Sequence, residues 1–133
     1  MKINYINPEN IAKPRGYSQA VSISGNYKTI YIGGQNAIDK EGNLIGKNSL
    51  KEQTIQVLDN IEKILENAEA KPENIIKLNI HILQGQSPQE GFIAFQQKWG
   101  NIQNPPAITV LFVAGLGNPD WLVEIDGIAV IPE

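Results

Sequence analysis

The sequence has no cysteine, and among its 133 residues it has one histidine, His81, and one arginine, Arg15. The absence of cysteine excludes disulfides, thiolate nucleophiles and cysteine-ligated metals. A single histidine cannot form a multi-histidine metal site either. We therefore predict that the protein has no metal site, and no motif in the chain points to a cofactor.

Clustered positive charge and long apolar runs are also missing. The net charge is −3, the pI is about 5.2, and the lysines are scattered. Nucleic-acid binding needs a concentrated positive surface, so we predict no nucleic-acid partner. No segment approaches the roughly 20 consecutive apolar residues of a transmembrane helix, and the N-terminus lacks the apolar run of a signal peptide. We expect no membrane partner and a cytoplasmic protein.

The composition, 41% hydrophobic and 19% charged, is that of an ordinary globular protein. We predict one domain over residues 1–133. Gly25-Asn26 between the second and third strands predicts a tight β-hairpin, and Gly33-Gly34 indicates a bulge or a close approach to the backbone. Strands are predicted at residues 2–6, 20–24, 27–33, 75–83, 107–114 and 122–131, and helices at residues 50–70 and 88–99.

Capping boxes predict where both helices begin. Ser49 with Glu52 precedes the first helix, whose apolar residues recur at three-four spacing, and Ser87 with Glu90 precedes the second. The second helix carries three aromatic residues at helical spacing, which we expect in the core: Phe92, Phe95 and Trp99.

The element order β-β-β-α-β-α-β-β predicts an α+β two-layer sandwich, with a mixed sheet and both helices on one face. The strand Ala107–Ala114 is apolar at both alternating sets of positions. A strand that is apolar on both sides is buried on both sides, and the chain has no third layer to cover it. We therefore predict an obligate homo-oligomer.

Two carboxylates, Glu124 and Asp126, share one face of the otherwise apolar last strand. A buried carboxylate costs several kcal/mol unless it is paired or hydrogen-bonded. Glu124 therefore either takes part in the function of the protein or is a structural carboxylate that pairs with the backbone or with a neighbouring lysine. For Asp126 we favour a solvated acid, and for His81 a half-buried structural side chain.

Several motifs resemble the RidA/YjgF family of reactive imine and enamine deaminases, formerly labelled L-PSP endoribonucleases, over nearly the whole chain. The resemblance implies a chorismate-mutase-like fold and a homotrimer with a small-molecule cleft at each subunit interface. The motifs are Gly16-Tyr17-Ser18-Gln19-Ala20-Val21, Tyr31-Ile32-Gly33-Gly34-Gln35, the helix from Ser49 to Ala70, Pro106-Ala107-Ile108-Thr109 and Leu122-Val123-Glu124-Ile125-Asp126-Gly127-Ile128-Ala129.

Matching the family position by position gives two catalytic candidates. The family's water-orienting carboxylate falls on Glu124, and its tyrosine at the cleft mouth falls on Tyr17. Its substrate-binding arginine falls on Ile108, which has no donor for a carboxylate, and its serine falls on Gly33. The chain therefore resembles a branch of the family that lacks this arginine.

The remaining candidates would line the same cleft, which we expect to contain residues from two subunits. Arg15 is either a surface residue or a substitute anchor for a carboxylate, and Trp121 is either a lid or a subunit contact. The substrate-binding candidates are Gly33, Gly34, Ala107, Ile108, Thr109, Arg15 and Trp121.

Three functions remain open at this point. The first is hydrolysis of an imine, an enamine or a related C–N bond, with Glu124 orienting water and Tyr17 bound to the leaving nitrogen. The second is a non-catalytic trimer that binds a small, fairly apolar metabolite. The third, RNA cleavage, is suggested only by the older family label, and the acidic pI argues against it.

Overall fold

The computed structural model describes all residues from 1 to 133. It contains two α-helices, one short 3-10 helix and six strands. The elements are β1 (Lys2–Ile6), β2 (Ala20–Ser24), β3 (Tyr27–Gln35), α1 (Leu50–Asn67), the 3-10 helix Pro72–Asn74, β4 (Ile75–Leu83), α2 (Pro88–Trp99), β5 (Ala107–Val113) and β6 (Val123–Pro132). None of the helices combines the length and the hydrophobicity needed to span a membrane.

The main sheet has four strands in the order β3-β6-β4-β5. Strands β4 and β5 are parallel, and β6 runs antiparallel to both β3 and β4. The two helices pack on one face, where α1 residues such as Leu58 and Ile61 share a core with Leu78 and Ile125 of the sheet. The α+β prediction is confirmed. We call the face that the helices leave uncovered the open face.

The predicted hairpin between β2 and β3 is wrong. β2 pairs with β1 in a separate two-stranded sheet, and β3 pairs with β6. Gly25 lies between them at a φ of 94°, and a Cβ built on it would come 3.2 Å from the Cα of Met1. The glycine therefore forms a corner beside the N-terminus, where the chain passes from the two-stranded sheet to the main sheet.

The two helix starts differ from each other. The Ser49 hydroxyl accepts a hydrogen bond from the Glu52 N–H at 3.2 Å, which is one half of the first predicted capping box, while the Ser49 N–H donates to the Gly46 carbonyl at 2.9 Å. Ser87 makes no side-chain cap, and only its carbonyl accepts from the Glu90 N–H at 3.3 Å. The second capping-box prediction is therefore wrong, because α2 begins with a backbone turn at Pro88.

The aromatic residues of α2 are only partly in the core. Trp99 is buried and contacts the ring of Phe95 edge-on, with the ring centroids 5.6 Å apart. Phe92 is 57% exposed, so its predicted core position is wrong. The face of α2 toward α1 is made of small residues: Ala94 is fully buried, and a Cβ on Gly91 would touch Leu50.

Polar side chains hold the solvent side of the helix pair. Lys98 of α2 donates to Asp59 of α1 and lies 3.2 Å from Glu62 Oε1. The Trp99 indole N–H donates to the same Glu62 oxygen at 2.8 Å. The hydrogen bond to Asp59 is the main reason that the pKa of Lys98 is raised above its ordinary value.

The edge strand β5 is exposed on both faces within the chain. Val110, Leu111 and Phe112 are each about half exposed. Val110 lies on the helix side and Leu111 on the open side, because consecutive residues of a strand alternate between faces. Nothing in one chain therefore covers either side of this apolar edge.

Candidate functional site

The site residues predicted from the sequence fall into two groups on opposite faces of the main sheet. Ile108 faces the helices together with Val123 and Ile125 of β6. Glu124 lies between those two β6 residues in sequence, so its side chain is on the open face. Within one chain, therefore, Ile108 and Glu124 do not meet.

A cavity of about 300 Å³ separates α2 from strands β4, β5 and β6. Tyr17 and Ile108 both line it, and Arg15 stands beside them. The other wall residues come from both layers and are mostly apolar. The apolar ones are Ile80, Ile82, Pro88, Phe92, Phe95, Val110, Val123 and Ile125, and Thr54 and Gln96 are the polar ones. We call this space the helix-side cavity.

The loop that carries Arg15 and Tyr17 is fixed by Ser18, which the sequence reasoning did not single out. The Ser18 N–H donates to the carbonyl of Pro106 at 2.9 Å, and its hydroxyl donates to the carbonyl of Pro105 at 2.6 Å. Ser18 is 2% exposed. These bonds place Tyr17 next to the start of β5. The role of Ser18 is visible only from the Pro105 and Pro106 carbonyls, the nearer of which is 87 residues away in the chain.

The open face holds Glu124 in contact with Gly34. Gly33 and Gly34 form the irregularity in β3 where the pairing shifts, since Ile32 faces Gly127 and Gln35 faces Ile125. A Cβ built on Gly34 would come 2.9 Å from both Cδ and Oε2 of Glu124. Bulges that re-aim side chains are common next to functional sites. Gly34 thus makes room for the carboxylate.

A row of polar side chains continues across the open face from Glu124. The Asn79 amide donates to Asp126 Oδ1 at 2.7 Å, and His81 Nδ1 lies 4.0 Å from Asp126 Oδ2. Lys77 donates to the hydroxyl of Thr109 at 2.8 Å. We call these side chains the polar row: Lys77, Asn79, His81, Thr109, Glu124 and Asp126.

The polar row changes how Asp126 and His81 are understood. Asp126 has a specific partner, Asn79, and its side chain is only 33% exposed, so it is more than a freely solvated acid. His81 is 25% exposed and lies beside two carboxylate-bearing residues. The chain has no group of three or more His, Asp and Glu side chains arranged to hold a metal ion.

Trp121 joins neither group. Its ring packs against Gly117, where a built Cβ would come 3.0 Å from Cζ3 of the indole. The loop around it is held by Gln53, a fully buried residue that sequence reasoning missed: its amide donates to the Asp120 carbonyl at 3.0 Å and accepts from the Leu122 N–H at 2.9 Å. Gln53 thereby fixes the chain just before β6.

The comparisons with known proteins agree with this fold. Residues 8–131 match the family model described as Endoribonuclease L-PSP. The chain belongs to the RidA/YjgF family. A RutC family protein of Pyrococcus abyssi is 34% identical over 91% of each chain, and one of Aquifex aeolicus is 35% identical over 86% of this chain and 87% of the relative.

Solved structures of the RidA/YjgF family superpose over most of the chain. The Rid family protein YyfB from Yersinia pestis has a TM-score of 0.85 and 31% identity, covering 98% of this chain and 100% of the other. RidA from an Antarctic Psychrobacter has a TM-score of 0.70 and 30% identity, covering 90% and 92%. The fold is therefore the chorismate-mutase-like α+β fold of this family.

Proposed function

We propose that this RidA/YjgF protein binds a small, mainly apolar molecule in the helix-side cavity. One observation carries the proposal: Tyr17 and Ile108, which match cleft positions of the family, line the same cavity of about 300 Å³. That volume lies at the lower end of the range for small-molecule sites, which are mostly apolar with a few polar groups.

The polar groups of the cavity define the ligand further. Ile108 offers no hydrogen bond where the family has an arginine, so a carboxylate there would lose its hydration without gaining a partner. The only cation in the lining is Arg15, at the same end as Tyr17. The cavity therefore favours a neutral ligand, or one whose single acceptor group reaches Arg15 while its apolar part contacts Ile108.

A fluorescent neutral probe, N-phenyl-1-naphthylamine, tests this proposal. Ile80→Phe places a larger side chain in the cavity wall and should weaken probe binding by about tenfold or more, as expected when a filled pocket loses room for an aromatic ring. Leu111→Phe makes a comparable change on the open side of the neighbouring strand. Equal affinity for the wild type and both variants would show that the probe does not occupy this cavity.

Native mass spectrometry of the untreated protein complements the probe. A molecule that copurifies with the wild type and is lost from Ile80→Phe but kept by Leu111→Phe would identify the natural ligand class. Retention by both variants would place the ligand elsewhere.

A second function, hydrolysis of an imine, an enamine or a related C–N bond, is favoured by the contact between Glu124 and Gly34. The family's water-orienting carboxylate falls on Glu124, and the glycine leaves its carboxylate room on the open face. Because Tyr17 lies on the helix side of the same chain, a site that uses both would need two subunits.

We infer that the chain, one domain over residues 1–133, assembles as a cytoplasmic homotrimer. The exposed apolar side chains on both faces of β5 support assembly, since nothing in the chain covers them. Proteins of this family are oligomeric. We do not propose RNA cleavage, because the net charge of −3 and the single arginine give no surface that attracts phosphates.

A further inference from the structure

His81, the only histidine of the chain, lies directly opposite Glu124 in the pairing of β4 with β6. Directly opposed residues of paired strands project their side chains from the same face. We propose that His81 is the proton donor of the open-face site. The proposal rests on the second function above, C–N hydrolysis assisted by Glu124.

The surroundings of the His81 ring determine which nitrogen carries the proton. Nδ1 lies 3.3 Å from the backbone carbonyl oxygen of Glu124 and 4.0 Å from Asp126 Oδ2. Both neighbours are acceptors and the carbonyl is within hydrogen-bond distance, so we assign the N–H to Nδ1. Nε2 makes no hydrogen bond within the chain and is the nitrogen left to exchange a proton with a bound molecule.

Asp126 is a positioning residue in this arrangement. Asn79 Nδ2 donates to Asp126 Oδ1 at 2.7 Å, which leaves Oδ2 on the side of His81. At 4.0 Å, Asp126 Oδ2 is too far from Nδ1 for a direct hydrogen bond, so this held carboxylate favours the Nδ1–H tautomer and the ring orientation through its charge. Asn79 therefore holds Asp126 in place, and Asp126 in turn orients the His81 ring, a role that a freely solvated acid could not have.

Glu124 and His81 are placed to act from two sides of a bound molecule. The Glu124 carboxylate rests against Gly34, toward β3, whereas His81 lies on β4 at the other side of β6. No ion pair joins the two side chains, so neither blocks the other. Both groups are on the open face: Glu124 lies beside the bulge at Gly33 and Gly34, and His81 lies one strand further from it.

The reaction balances with water as the only co-reactant. Glu124 accepts a proton from water as the water oxygen bonds to the imine carbon, and protonated His81 gives a proton to the nitrogen. The resulting carbinolamine then loses its hydroxyl proton while its nitrogen gains one through solvent, and the C–N bond breaks to give a carbonyl compound and ammonia or an amine. The proton on Glu124 returns through solvent to His81, so both groups end as they began.

The charges facing His81 come from two strands. Glu124 and Asp126 on β6 are the acidic side chains on its face of the sheet, and Lys77, further along β4, is the basic one. Thr109 and Leu111, its neighbours on β5, carry no charge.

Nitrogen-15 NMR of the neutral protein tests the positioning directly, because one histidine gives one set of ring signals. The wild type should show mainly the Nδ1–H tautomer. Asp126→Ala should raise the Nε2–H fraction, whereas Lys77→Met, on the same strand and face, should leave the tautomer ratio unchanged. A wild-type ring that is mainly Nε2–H would overturn the proposal.

Hydrolysis of benzophenone imine, which has no carboxylate, tests the chemistry. His81→Gln should lower kcat by about 10²- to 10⁴-fold with little change in KM, the usual contribution of a general acid, and should alter the pH dependence of kcat. Glu124→Gln should also be slow, and Lys63→Met, at an exposed position of α1 away from the open face, should match the wild type.

The outcomes separate the two claims. If the wild type hydrolyses the imine and His81→Gln is equally fast with the same pH dependence, the role of His81 is wrong while the hydrolytic function stands. If the wild type does not exceed buffer with this imine or with an enamine of the same ketone, the hydrolytic function fails and the role of His81 fails with it.

Discussion

The Glu124 carboxylate occupies the space that a side chain at Gly34 would need, so there is no room for a Cβ at position 34. A Cβ there would come 2.9 Å from Cδ of Glu124. We predict that Gly34→Ala moves the carboxylate, because the far end of a flexible side chain yields more easily than the sheet. A crystal structure should show a changed Glu124 rotamer, with only a small loss of thermal stability.

Gly33→Ala is the matched control for this change. A Cβ on Gly33 meets nothing within 4 Å, so Glu124 should keep its position. If Glu124 is unmoved in Gly34→Ala, or moves equally in both variants, the contact does not fix the carboxylate.

The wild type should be a poor deaminase of 2-iminopropionate. Family members with the arginine bind the substrate carboxylate through a paired hydrogen bond, and Ile108 cannot. The loss should slow the reaction on the order of 10²- to 10⁴-fold. A coupled amino-acid oxidase assay beside an arginine-bearing relative measures the ratio. Equal rates would contradict the prediction and point to Arg15 as the anchor, which Arg15→Ala would then test.

Ile108→Arg should make the protein less stable and more responsive to carboxylates. Ile108 packs against the core, so its replacement would bring a guanidinium toward the apolar helix-side cavity. A bound carboxylate that pairs with the guanidinium offsets part of the lost stability. Benzoate should therefore raise the Tm of the variant more than that of the wild type. Thr109→Arg, on the open face, should be less destabilised and show no benzoate response. Identical melting behaviour of the two variants would exclude Ile108 from the cavity.

Charge on β5 should prevent assembly. Leu111 is 52% exposed in one chain, and in a trimer it should be covered. Light scattering should give the wild type three times the 14.7 kDa of one chain, and Leu111→Glu a lower mass because a buried, unpaired carboxylate is costly. Ile11→Glu changes a similarly exposed residue of the N-terminal loop and should remain a trimer. A monomeric wild type at micromolar concentration would contradict the prediction.

Lys98 should stabilise the helix pair only while it is charged. Its pKa is raised in the folded state above the ordinary 10.5, chiefly by the hydrogen bond to Asp59. The stabilisation is therefore complete below about pH 10.5 and is lost as the pH rises through the folded-state pKa. In urea unfolding, Lys98→Met should be less stable than the wild type at pH 7 and 9, and the difference should shrink at pH 11. Lys63→Met, at an exposed site of α1, should show no such pH-dependent difference.

The sequence determined the elements that have a strong local signal. The three-four spacing after Ser49 specified α1, and the strands at residues 2–6 and 75–83 were predicted at the bounds the structure has. The two consecutive glycines, Gly33 and Gly34, also indicated a bulge, and the register shift between β3 and β6 at this point confirms it. These features depend on residues close together in the chain, so their physics is visible in the sequence.

Strand pairing and the choice of faces were decided only by the tertiary structure. Gly25-Asn26 fits a hairpin locally, yet β2 pairs with β1, and β3 pairs with the distant strand β6. In β5 both alternating sets are apolar, so no pattern says which set faces the helices. The pairing of Leu78 with Ile108, and the bonds from Ser18 to Pro105 and Pro106, fix that choice.

The same reason explains the division of the candidate site. Glu124 could be assigned to one face of β6 from the alternation of apolar neighbours, but the face of Ile108 depends on a register between distant strands. His81 and Asn79 gained their partners in the same way, because Asp126 is more than 40 residues away in the chain. Contacts between such distant residues depend on how the strands pack, which the sequence alone does not reveal.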